Sequence, residues 1–261
     1  MTSGTSTKAR IALVTGANRG IGRAITQQLA ELGMTVYLGS RDLQRGQAAE
    51  RELRGAGLDV HALQLDTTDE ATVLLGAKRI EQESGRLDVL VNNAGIISEW
   101  RLPSQLSADQ VRPIFETNVF GVITVTNAML PLLRRSEAGR IVNLSSTLGS
   151  LAVGSGAPDP GGYLPPGFFP EYAAYSASKA ALNALTIRYA HELRDTGILV
   201  NAACPGRVAT DMNDGEGDRT PEQGALVAVR LATLPEGGRT GTFTGTVAGT
   251  VGNLTDVLVP W

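Results

Sequence analysis

The stretch that decides the fold is IALVTGANRGIGRAITQQLAELG, residues 11–33. Its short apolar run predicts a buried strand, the glycines predict a sharp turn, and the amphipathic pattern after them predicts a helix. Glycines let such a turn approach a pyrophosphate closely, and the start of the helix offers unpaired N–H groups to it. The order of strand, turn and helix favours a dinucleotide site over an ordinary turn, although the spacing is G-x-x-x-G-x-G rather than G-x-G-x-x-G.

Short apolar runs alternate with longer helical patterns along most of the chain. The runs lie at residues 11–16, 35–40, 59–66, 87–95, 140–146 and 198–206, and a Gly/Thr-rich segment at 237–261 suggests further strands or loops joined by turns. Near-continuous apolar strands are typical of a parallel sheet that is covered on both faces. We predict an α/β fold, a Rossmann-type doubly wound parallel sheet with helices on both faces, as a single domain over residues 1–261 with a flexible tail at 1–8. Ligands of such sheets bind beyond the carboxyl ends of the strands.

The composition narrows the classes of function. Apolar residues make up 42% of the 261 residues and the net charge is −3, with the basic residues scattered, so we expect a globular protein and no nucleic-acid partner. No apolar run approaches the roughly 18 residues that span a bilayer, and the N-terminus is polar, so we expect a cytoplasmic protein without membrane contact. Cys204 is the only cysteine, and His61 and His191 are the only histidines. We therefore predict no metal site, and a buried structural position for Cys204.

The second apolar run ends in Ser-Arg-Asp at 40–42, which bears on the choice between NADP and NAD. An arginine at this tip pairs with the 2′-phosphate of NADP, whereas a carboxylate bonds the ribose hydroxyls of NAD. Arg41, with Arg19 in the glycine turn as a second cation, therefore favours NADP(H). Two alternatives stay open: the arginines are solvated surface residues, or Asp42 faces the ribose and favours NAD.

The third apolar run ends at Asp66. A polar side chain at this strand end is placed to meet the adenine edge of a bound dinucleotide. The alternative is that Asp66 caps the helix that follows.

Tyr175 and Lys179 lie four positions apart at the start of a helical pattern. This spacing places the phenol and the ammonium on one helix face. A free tyrosine has a pKa of about 10 and exchanges protons poorly near neutrality unless a nearby cation stabilises the phenolate. Lys179 would provide that cation, as would an oxidised nicotinamide. The Y-x-x-x-K pattern also arises by chance, so its weight comes from the motifs around it.

Taken together, the ordered motifs resemble the short-chain dehydrogenase/reductase family, and within it the NADPH-dependent carbonyl reductases. The family resemblance covers nearly the whole chain. It rests on TGANRGIG at 15–22, NNAG at 92–95, Asn118 within ETNVFG, VNLSS at 142–146, YSASK at 175–179 and PGRVAT at 205–210. The carbonyl reductases share the Ser-Arg-Asp strand tip and an insertion before the tyrosine, at residues 150–172 here.

The resemblance implies NADPH-dependent reduction of a ketone or aldehyde, with transfer of the pro-S hydride that is usual in the family. Tyr175 is then the general acid, Lys179 lowers its pKa and holds the nicotinamide ribose, and Ser146 hydrogen-bonds the carbonyl oxygen. Asn118 would hold a water in the proton relay. Ser145 is the competing serine, but the second serine of the pair has the family's spacing.

The resemblance also implies which residues contact NADP(H). Most of them follow the carboxyl ends of strands. They are Gly16, Asn18, Arg19, Gly20, Ile21, Gly22, Arg41, Asp66, Thr67, Asn93, Ala94, Gly95, Tyr175, Lys179, Pro205, Gly206, Val208, Ala209 and Thr210. Taken alone, the Asn-Asn-Ala-Gly and Pro-Gly segments also fit simple turns.

The insertion at 150–172 is rich in Gly and Pro but also carries aromatic residues, which predicts a lid over the substrate site. We expect a substrate with apolar bulk. Its candidate contacts are Trp100, Ser146, Tyr163, Phe168, Phe169 and Tyr172. In the carbonyl reductases the insertion obstructs the helix faces that form tetramers elsewhere in the family, which implies a monomer. Two other functions stay open: an NAD(P)-dependent alcohol dehydrogenase working toward oxidation, and a noncatalytic NADPH-binding sensor.

Overall fold

One sheet organises the fold. The computed structural model describes residues 9–97, 100–162, 164, 171–248 and 254–261. The strands of this part of the chain are β1 (Ile11–Val14), β2 (Thr35–Ser40), β3 (Val60–Gln64), β4 (Val89–Asn92), β5 (Arg140–Leu144), β6 (Leu199–Ala203), β7 (Phe243–Ala248) and β8 (Leu254–Leu258). Their order across the sheet is β3-β2-β1-β4-β5-β6-β7-β8. All neighbouring pairs are parallel except β7 and β8.

Helices cover both faces of the sheet. They are α1 (Gly20–Glu31), α2 (Leu43–Gly55), α3 (Glu70–Ser84), α4 (Ala108–Phe115), α5 (Gly121–Leu133), α6 (Leu151–Gly154), α7 (Ala173–Glu192) and α8 (Pro221–Ala232). On one face α1 packs against α8, over a core that includes Leu29 and Val36. On the other face α3 packs against α5, over a core that includes Leu13 and Ile141. The predicted doubly wound α/β fold in a single domain is confirmed.

The strands predicted from the six apolar runs are all present. β2 has the predicted bounds, and the other five are shorter than their runs. They are shorter because residues at one or both ends of each run leave the sheet, and those at the carboxyl end form the turn that follows the strand. The Gly/Thr-rich segment adds β7 and β8. Only residues 249–253 separate these two strands, and a parallel return needs a dozen or more residues, so the pair is antiparallel.

The helices differ in how they begin. Asp42 accepts hydrogen bonds from two backbone N–H groups at the start of α2, and Asp69 accepts one at the start of α3. Thr220 accepts one at the start of α8. In contrast, the N-cap residue of α1, Arg19, makes no side-chain cap. The N–H groups at the start of α1 therefore lack the partner that these other helices have.

Some predictions lie outside the described residues. They are the flexible tail at 1–8 and the substrate contacts of Tyr163, Phe168 and Phe169. The predicted buried position of Cys204, just beyond β6, is confirmed. In the part of the chain that the structure describes, no helix is both long enough and apolar enough to span a bilayer.

Candidate active site

The turn between β1 and α1 is so tightly packed that it requires glycine. Gly16 and Gly20 have left-handed backbones, with φ of +62° and +55°. A Cβ on Gly22 would lie 2.4 Å from Nδ2 of Asn93, and a Cβ on Gly16 would lie 2.9 Å from Cα of Ala94. At Gly16 and Gly22 the backbone of this turn is therefore bare of side chains and packs against the turn that follows β4.

Thr15 joins these two turns. Its hydroxyl accepts hydrogen bonds from the backbone N–H groups of Asn93 and Ala94, both at 3.0 Å. Asn93 donates in return from Nδ2 to the carbonyls of Thr15 at 2.8 Å and Gly16 at 3.1 Å. The predicted cofactor residues after β1 and β4 thus form one hydrogen-bonded unit.

The N-terminus of α1 lies within this unit and suits a phosphate. It has no side-chain cap, and its first turn contains no acidic residue. Unpaired N–H groups and the positive end of the helix dipole together favour an anion. Asn18 and Ile21 are half-buried at this turn. The bare backbone and the uncapped helix fit the pyrophosphate of a dinucleotide.

The tip of β2 exposes its arginine and engages its carboxylate. Arg41 is exposed to solvent. Oδ1 of Asp42 accepts hydrogen bonds from the N–H groups of Gln44 at 2.9 Å and Arg45 at 3.2 Å. This cap gives Asp42 a structural role in α2. The alternative in which Asp42 faces the ribose therefore loses support.

Arg19 has a partner that the sequence did not reveal. Its Nη1 lies 2.5 Å from Oδ2 of Asp211, which follows the turn after β6. Both side chains are mostly exposed, and a pair of that kind is weak. A 2′-phosphate would compete with Asp211 for Arg19, so the phosphate contact of Arg19 stays a prediction.

At the end of β3, Asp66 bonds locally. Its Oδ1 accepts hydrogen bonds from the N–H of Thr68 at 2.9 Å and from the hydroxyl of Thr68 at 2.7 Å. The alternative that Asp66 caps the next helix is wrong, because Asp69 caps α3. Thr67 is buried and packs closely against Gly121. A Cβ on Gly121 would lie 2.9 Å from the Cβ of Thr67. The adenine contact of Asp66 and the cofactor contact of Thr67 stay predictions.

Tyr175 and Lys179 lie in the first turns of α7 and face the end of β5. Nζ of Lys179 is 5.5 Å from the ring centroid of Tyr175 and donates to the carbonyl of Leu144 at 2.7 Å. Gly149 permits the close approach, since a Cβ there would lie 2.6 Å from the carbonyl carbon of Lys179. A Cβ on Gly95 would lie 3.6 Å from Nζ of Lys179. The structure therefore brings the ammonium beside the turn after β4.

Burial moves the proton affinities of these two groups in opposite directions. Desolvation raises the pKa of Tyr175 well above its usual value; the nearby Cys204 adds to the rise, and a hydrogen bond with Ser146 opposes it. Desolvation lowers the pKa of Lys179 to about 8. Tyr175 is still partly accessible at the surface, as a proton donor to a ligand must be. At neutral pH the phenol is protonated and most of the ammonium is charged.

The two serines after β5 have different partners. Ser145 is buried, and its hydroxyl donates to Oδ1 of Asn183 at 2.6 Å. Ser146 is half-buried, and its hydroxyl hydrogen-bonds Tyr175 and accepts from the N–H of Leu148 at 3.2 Å. Ser145 therefore fastens this loop to α7, while Ser146 lies beside the phenol. This geometry supports the choice of Ser146.

Asn118 lies in a π-helical turn, Glu116–Phe120, and is fully buried. Its Nδ2 donates to the carbonyl of Ile96 at 2.9 Å and to the hydroxyl of Ser178 at 3.0 Å. Its Oδ1 accepts from the N–H of Ile96 at 2.9 Å. The side chain thus holds the segment after β4 against α7. π turns are frequent at functional sites, and the water relay through Asn118 stays a prediction.

The turn after β6 reaches from the chemical end of the site to the glycine turn. At one end, Sγ of Cys204 lies 3.2 Å from Oγ1 of Thr147, in the loop after β5. At the other end, the methyl group of Thr210 would lie 3.4 Å from a Cβ on Gly20. The turn therefore lies beside both ends of the predicted cofactor site.

The model of the family described as short chain dehydrogenase matches residues 10–158 and 167–220. The chain belongs to this family. It is 38% identical over 283 residues to short-chain dehydrogenase/reductase 1 of Saponaria officinalis, which covers 90% of this chain and 93% of that protein. It is 34% identical over 264 residues to carbonyl reductase (NADPH) 1 of Sus scrofa, with 88% and 89% covered. The solved structure of salutaridine reductase from Papaver somniferum has a TM-score of 0.77 and 32% identity, with 90% of this chain and 99% of that one covered.

Membership of this family establishes the general class of reaction. This short-chain dehydrogenase is an oxidoreductase that acts on CH–OH or C=O groups with a nicotinamide cofactor. The matched residues include all six motifs that carry the family resemblance.

On the expected substrate side, two aromatic residues of this short-chain dehydrogenase lie together. The ring centroids of Trp100 and Tyr172 are 5.5 Å apart. Nε1 of Trp100 donates to a carboxylate oxygen of Glu171 at 3.1 Å, and the N–H of Arg101 donates to the Glu171 carbonyl at 2.7 Å. These contacts join the segment after β4 to the residues just before Tyr175. Their role in substrate binding stays a prediction.

Sequence reasoning missed several residues that hold the site together. Thr15 and Ser178 lie inside the motifs but are not among the predicted site residues. Asn183 is four positions after Lys179, and that spacing places it on the same face of α7. This periodicity was the available signal for Asn183. Nothing in the local sequence marks Asp211 as the partner of Arg19.

Proposed function

We propose that this short-chain dehydrogenase is a monomeric, cytoplasmic carbonyl reductase that reduces a ketone or aldehyde with NADPH, using Tyr175 as the general acid. The observation that carries the proposal is the grouping of Ser146, Tyr175 and Lys179 at the carboxyl edge of the sheet, next to the turn after β4. The relative named carbonyl reductase (NADPH) 1 supports the same reaction.

The mechanism follows from the charge that develops on the substrate. Bound NADPH supplies a hydride to the carbonyl carbon. As negative charge grows on the carbonyl oxygen, Ser146 donates a hydrogen bond to it and Tyr175 transfers its proton to it. Lys179, 5.5 Å from the phenol ring, stabilises the phenolate that Tyr175 becomes. Because these groups act on charge that appears during the reaction, they lower the barrier more than they tighten substrate binding.

The preference for NADPH is proposed from the tip of β2. Arg41 is exposed there, and Asp42 is occupied as the cap of α2. A carboxylate that already accepts two backbone N–H bonds is a poor partner for ribose hydroxyls, whereas an exposed guanidinium is available to a phosphate. Arg19 would add a second cation after it leaves Asp211.

A substrate with apolar bulk is proposed from the contact between Trp100 and Tyr172. Trp100 is 54% exposed although its ring is anchored, so it offers an apolar surface of fixed orientation. The family match omits residues 159–166, inside the insertion at 150–172. An added segment at this place supports the proposed lid and, through the resemblance to the carbonyl reductases, the proposed monomer.

The test is the turnover of a panel of quinones, aromatic ketones and aldehydes, followed by loss of NADPH absorbance. Tyr175→Phe should lower turnover by about 10³-fold, the size of a lost general acid. Tyr189→Phe is the matched control, because Tyr189 is a buried tyrosine of the same helix whose hydroxyl donates to Asn127 instead. Equal turnover by wild type and Tyr175→Phe would disprove the tyrosine mechanism. Tight NADPH binding with no turnover of any substrate would favour the sensor.

A further inference from the structure

We propose that Arg219 is a positioning residue that fixes the turn after β6 above the nicotinamide end of the cofactor. This inference rests on the proposed function and adds to it a residue outside the six motifs. Arg219 lies directly before Thr220, the N-cap of α8. It is far from Tyr175 in sequence, and it acts through the turn rather than on the reacting atoms.

The side chain of Arg219 ties the beginning of the turn to the sheet. The guanidinium is buried, with 8% exposure. Its Nη1 donates to the carbonyl of Pro205 at 3.2 Å and to Oγ1 of Thr246, and its Nη2 donates to the carbonyl of Thr246 at 2.9 Å. Pro205 begins the turn, and Thr246 belongs to β7. One planar fork therefore holds two chain segments at a fixed separation.

The main chain of Arg219 holds the other end of the turn. Its carbonyl accepts from the N–H of Ala209 at 2.9 Å, and it forms an isolated parallel bridge with Val208. The packing around this bridge is tight, since a Cβ on Gly217 would lie 2.3 Å from the nitrogen of Ala209. A Cβ on Gly224 would lie 2.5 Å from Cγ2 of Val208. The same residue thus contacts the turn at both ends.

The effect of losing the Arg219 side chain, which holds Pro205, should be confined to one half of the cofactor, because the main-chain bond to Ala209 stays. The turn has a left-handed residue, Gly206, with φ of +82°, so its path depends on the groups that hold it. Without the guanidinium, the part-buried carbonyl of Pro205 and the buried carbonyl of Thr246 each lose a donor, and the turn is free to shift. The adenosine half would bind at α1 and the tip of β2, which Arg219 does not contact through any of these hydrogen bonds.

The experiment compares binding of NADPH with binding of adenosine 2′,5′-bisphosphate, which contains only the adenosine half. In Arg219→Met the Kd for NADPH should rise about tenfold, the size of one or two lost buried hydrogen bonds. The Kd for the bisphosphate should change less than about twofold. A merely structural role would weaken both ligands together or neither, so the ratio of the two Kd values distinguishes positioning from stability.

Arg140→Met is the matched control. Arg140 is a buried arginine that also donates to backbone carbonyls, those of Leu234 and Gly139, but it lies at the opposite edge of the sheet. Its loss should lower the midpoint of thermal unfolding and leave the ratio unchanged. If Arg219→Met does not fold, Arg219→Lys keeps the charge without the fork and should still raise the ratio.

An unchanged ratio in the folded variant, or an equal rise in Arg140→Met, would overturn the inference. Failure of the wild type to bind NADPH would overturn the proposed function, and this inference with it. NADPH binding and turnover by the wild type with an unchanged ratio in the variant would overturn the inference alone.

Discussion

Polar and charged residues have different roles at the amino edge of the sheet, where the parallel strands begin, and at the carboxyl edge, where they end. At the amino edge, just before β4, the buried carboxylate of Asp88 accepts hydrogen bonds from the N–H of Ile11 at 2.7 Å and the hydroxyl of Ser136 at 2.6 Å. Arg86 donates to the same carboxylate from Nε at 3.1 Å. The buried guanidinium of Arg140 donates to backbone carbonyls nearby. These charges join strands and loops to each other.

At the carboxyl edge, where the strands end, several polar groups still have hydrogen-bonding capacity that a ligand could use. The N-terminus of α1 has no side-chain cap, and Arg41 is exposed. Ser146 and Tyr175 stay partly accessible although they contact each other. The contrast shows that a buried charge does not by itself mark a functional site. What marks the site is polar groups whose bonding is incomplete and which follow the carboxyl ends of the strands.

Among the substitutions that test this difference between the two edges, we expect the largest effect on turnover from Lys179→Met. Turnover should fall by about 10³-fold, because the phenolate of Tyr175 loses its cation. The free energy of unfolding should not fall, because burial already opposes the charge, as the lowered pKa of Lys179 indicates. Turnover and equilibrium unfolding in denaturant check the two statements. An activity loss that is matched by a loss of stability would contradict the account.

Asp88→Ala should have the reverse signature. The substitution leaves the N–H of Ile11 and the guanidinium of Arg86 without their acceptor, which should lower the free energy of unfolding by about 3 kcal/mol. Below the unfolding temperature, kcat/KM should equal that of the wild type. Denaturant unfolding and steady-state kinetics at one temperature make the comparison. A folded variant with impaired kcat/KM would contradict the assignment of a purely structural role to Asp88.

Arg41→Ala tests the cofactor side of the carboxyl edge. The Kd for NADPH should rise by about 10- to 100-fold with the loss of a charge-assisted hydrogen bond, and the Kd for NADH should not change. Arg45→Ala is the control, since Arg45 is also exposed but pairs with Asp42 at 3.3 Å. Titrations with both cofactors provide the measurement. If the NADPH to NADH ratio is the same in Arg41→Ala and wild type, Arg41 is a bystander.

The pH dependence of reduction should follow Lys179. The pKa of Lys179 is lowered to about 8, so the ammonium is charged below that pH and loses its proton above it. Burial raises the pKa of Tyr175, so the phenol remains an acid across the same range. We expect kcat/KM to fall by up to about tenfold per pH unit above about 8. A profile that is flat from pH 7 to 10, to within about twofold, would show that the charge of Lys179 does not matter.

The smallest effect is expected from Asp211→Asn. Removing the carboxylate frees Arg19 for the 2′-phosphate, and an exposed ion pair is worth at most about 1 kcal/mol. The Kd for NADPH should therefore fall by no more than about fivefold, with the Kd for NADH unchanged. Weaker NADPH binding in this variant would instead mean that Asp211 itself supports the cofactor.

The sequence predicted those features that depend on local patterns. The glycine turn, the strand ends and the pair of Tyr175 and Lys179 each combine residue types with a fixed spacing, so the fold and the arrangement around α7 could be predicted. The position of a helix cap is harder to predict from sequence. Asp66 and Asp69 both precede α3, and only the backbone conformation determines which of them caps it. A cap is a matter of φ, ψ and one hydrogen bond, which a residue name does not specify.

Contacts between distant parts of the chain could not be predicted from one sequence. Arg19 and Asp211 are 192 positions apart, and Arg219 meets Thr246 only because β7 returns beside β6. Asn118 shows a similar limit, since its buried bonds depend on a π turn that has no residue signature in ETNVFG. In each case the partner is set by tertiary packing rather than by local spacing.

The most direct test of the central claim is to follow the hydride itself. The protein is incubated with NADPH that carries deuterium at the pro-S position of C4 and with the aromatic ketone or aldehyde that it turns over fastest, and the alcohol is analysed by mass spectrometry. The account predicts an alcohol with one deuterium on the carbinol carbon in the wild type, and little alcohol from Tyr175→Phe. An alcohol without deuterium, or equal product from the two proteins, would contradict it.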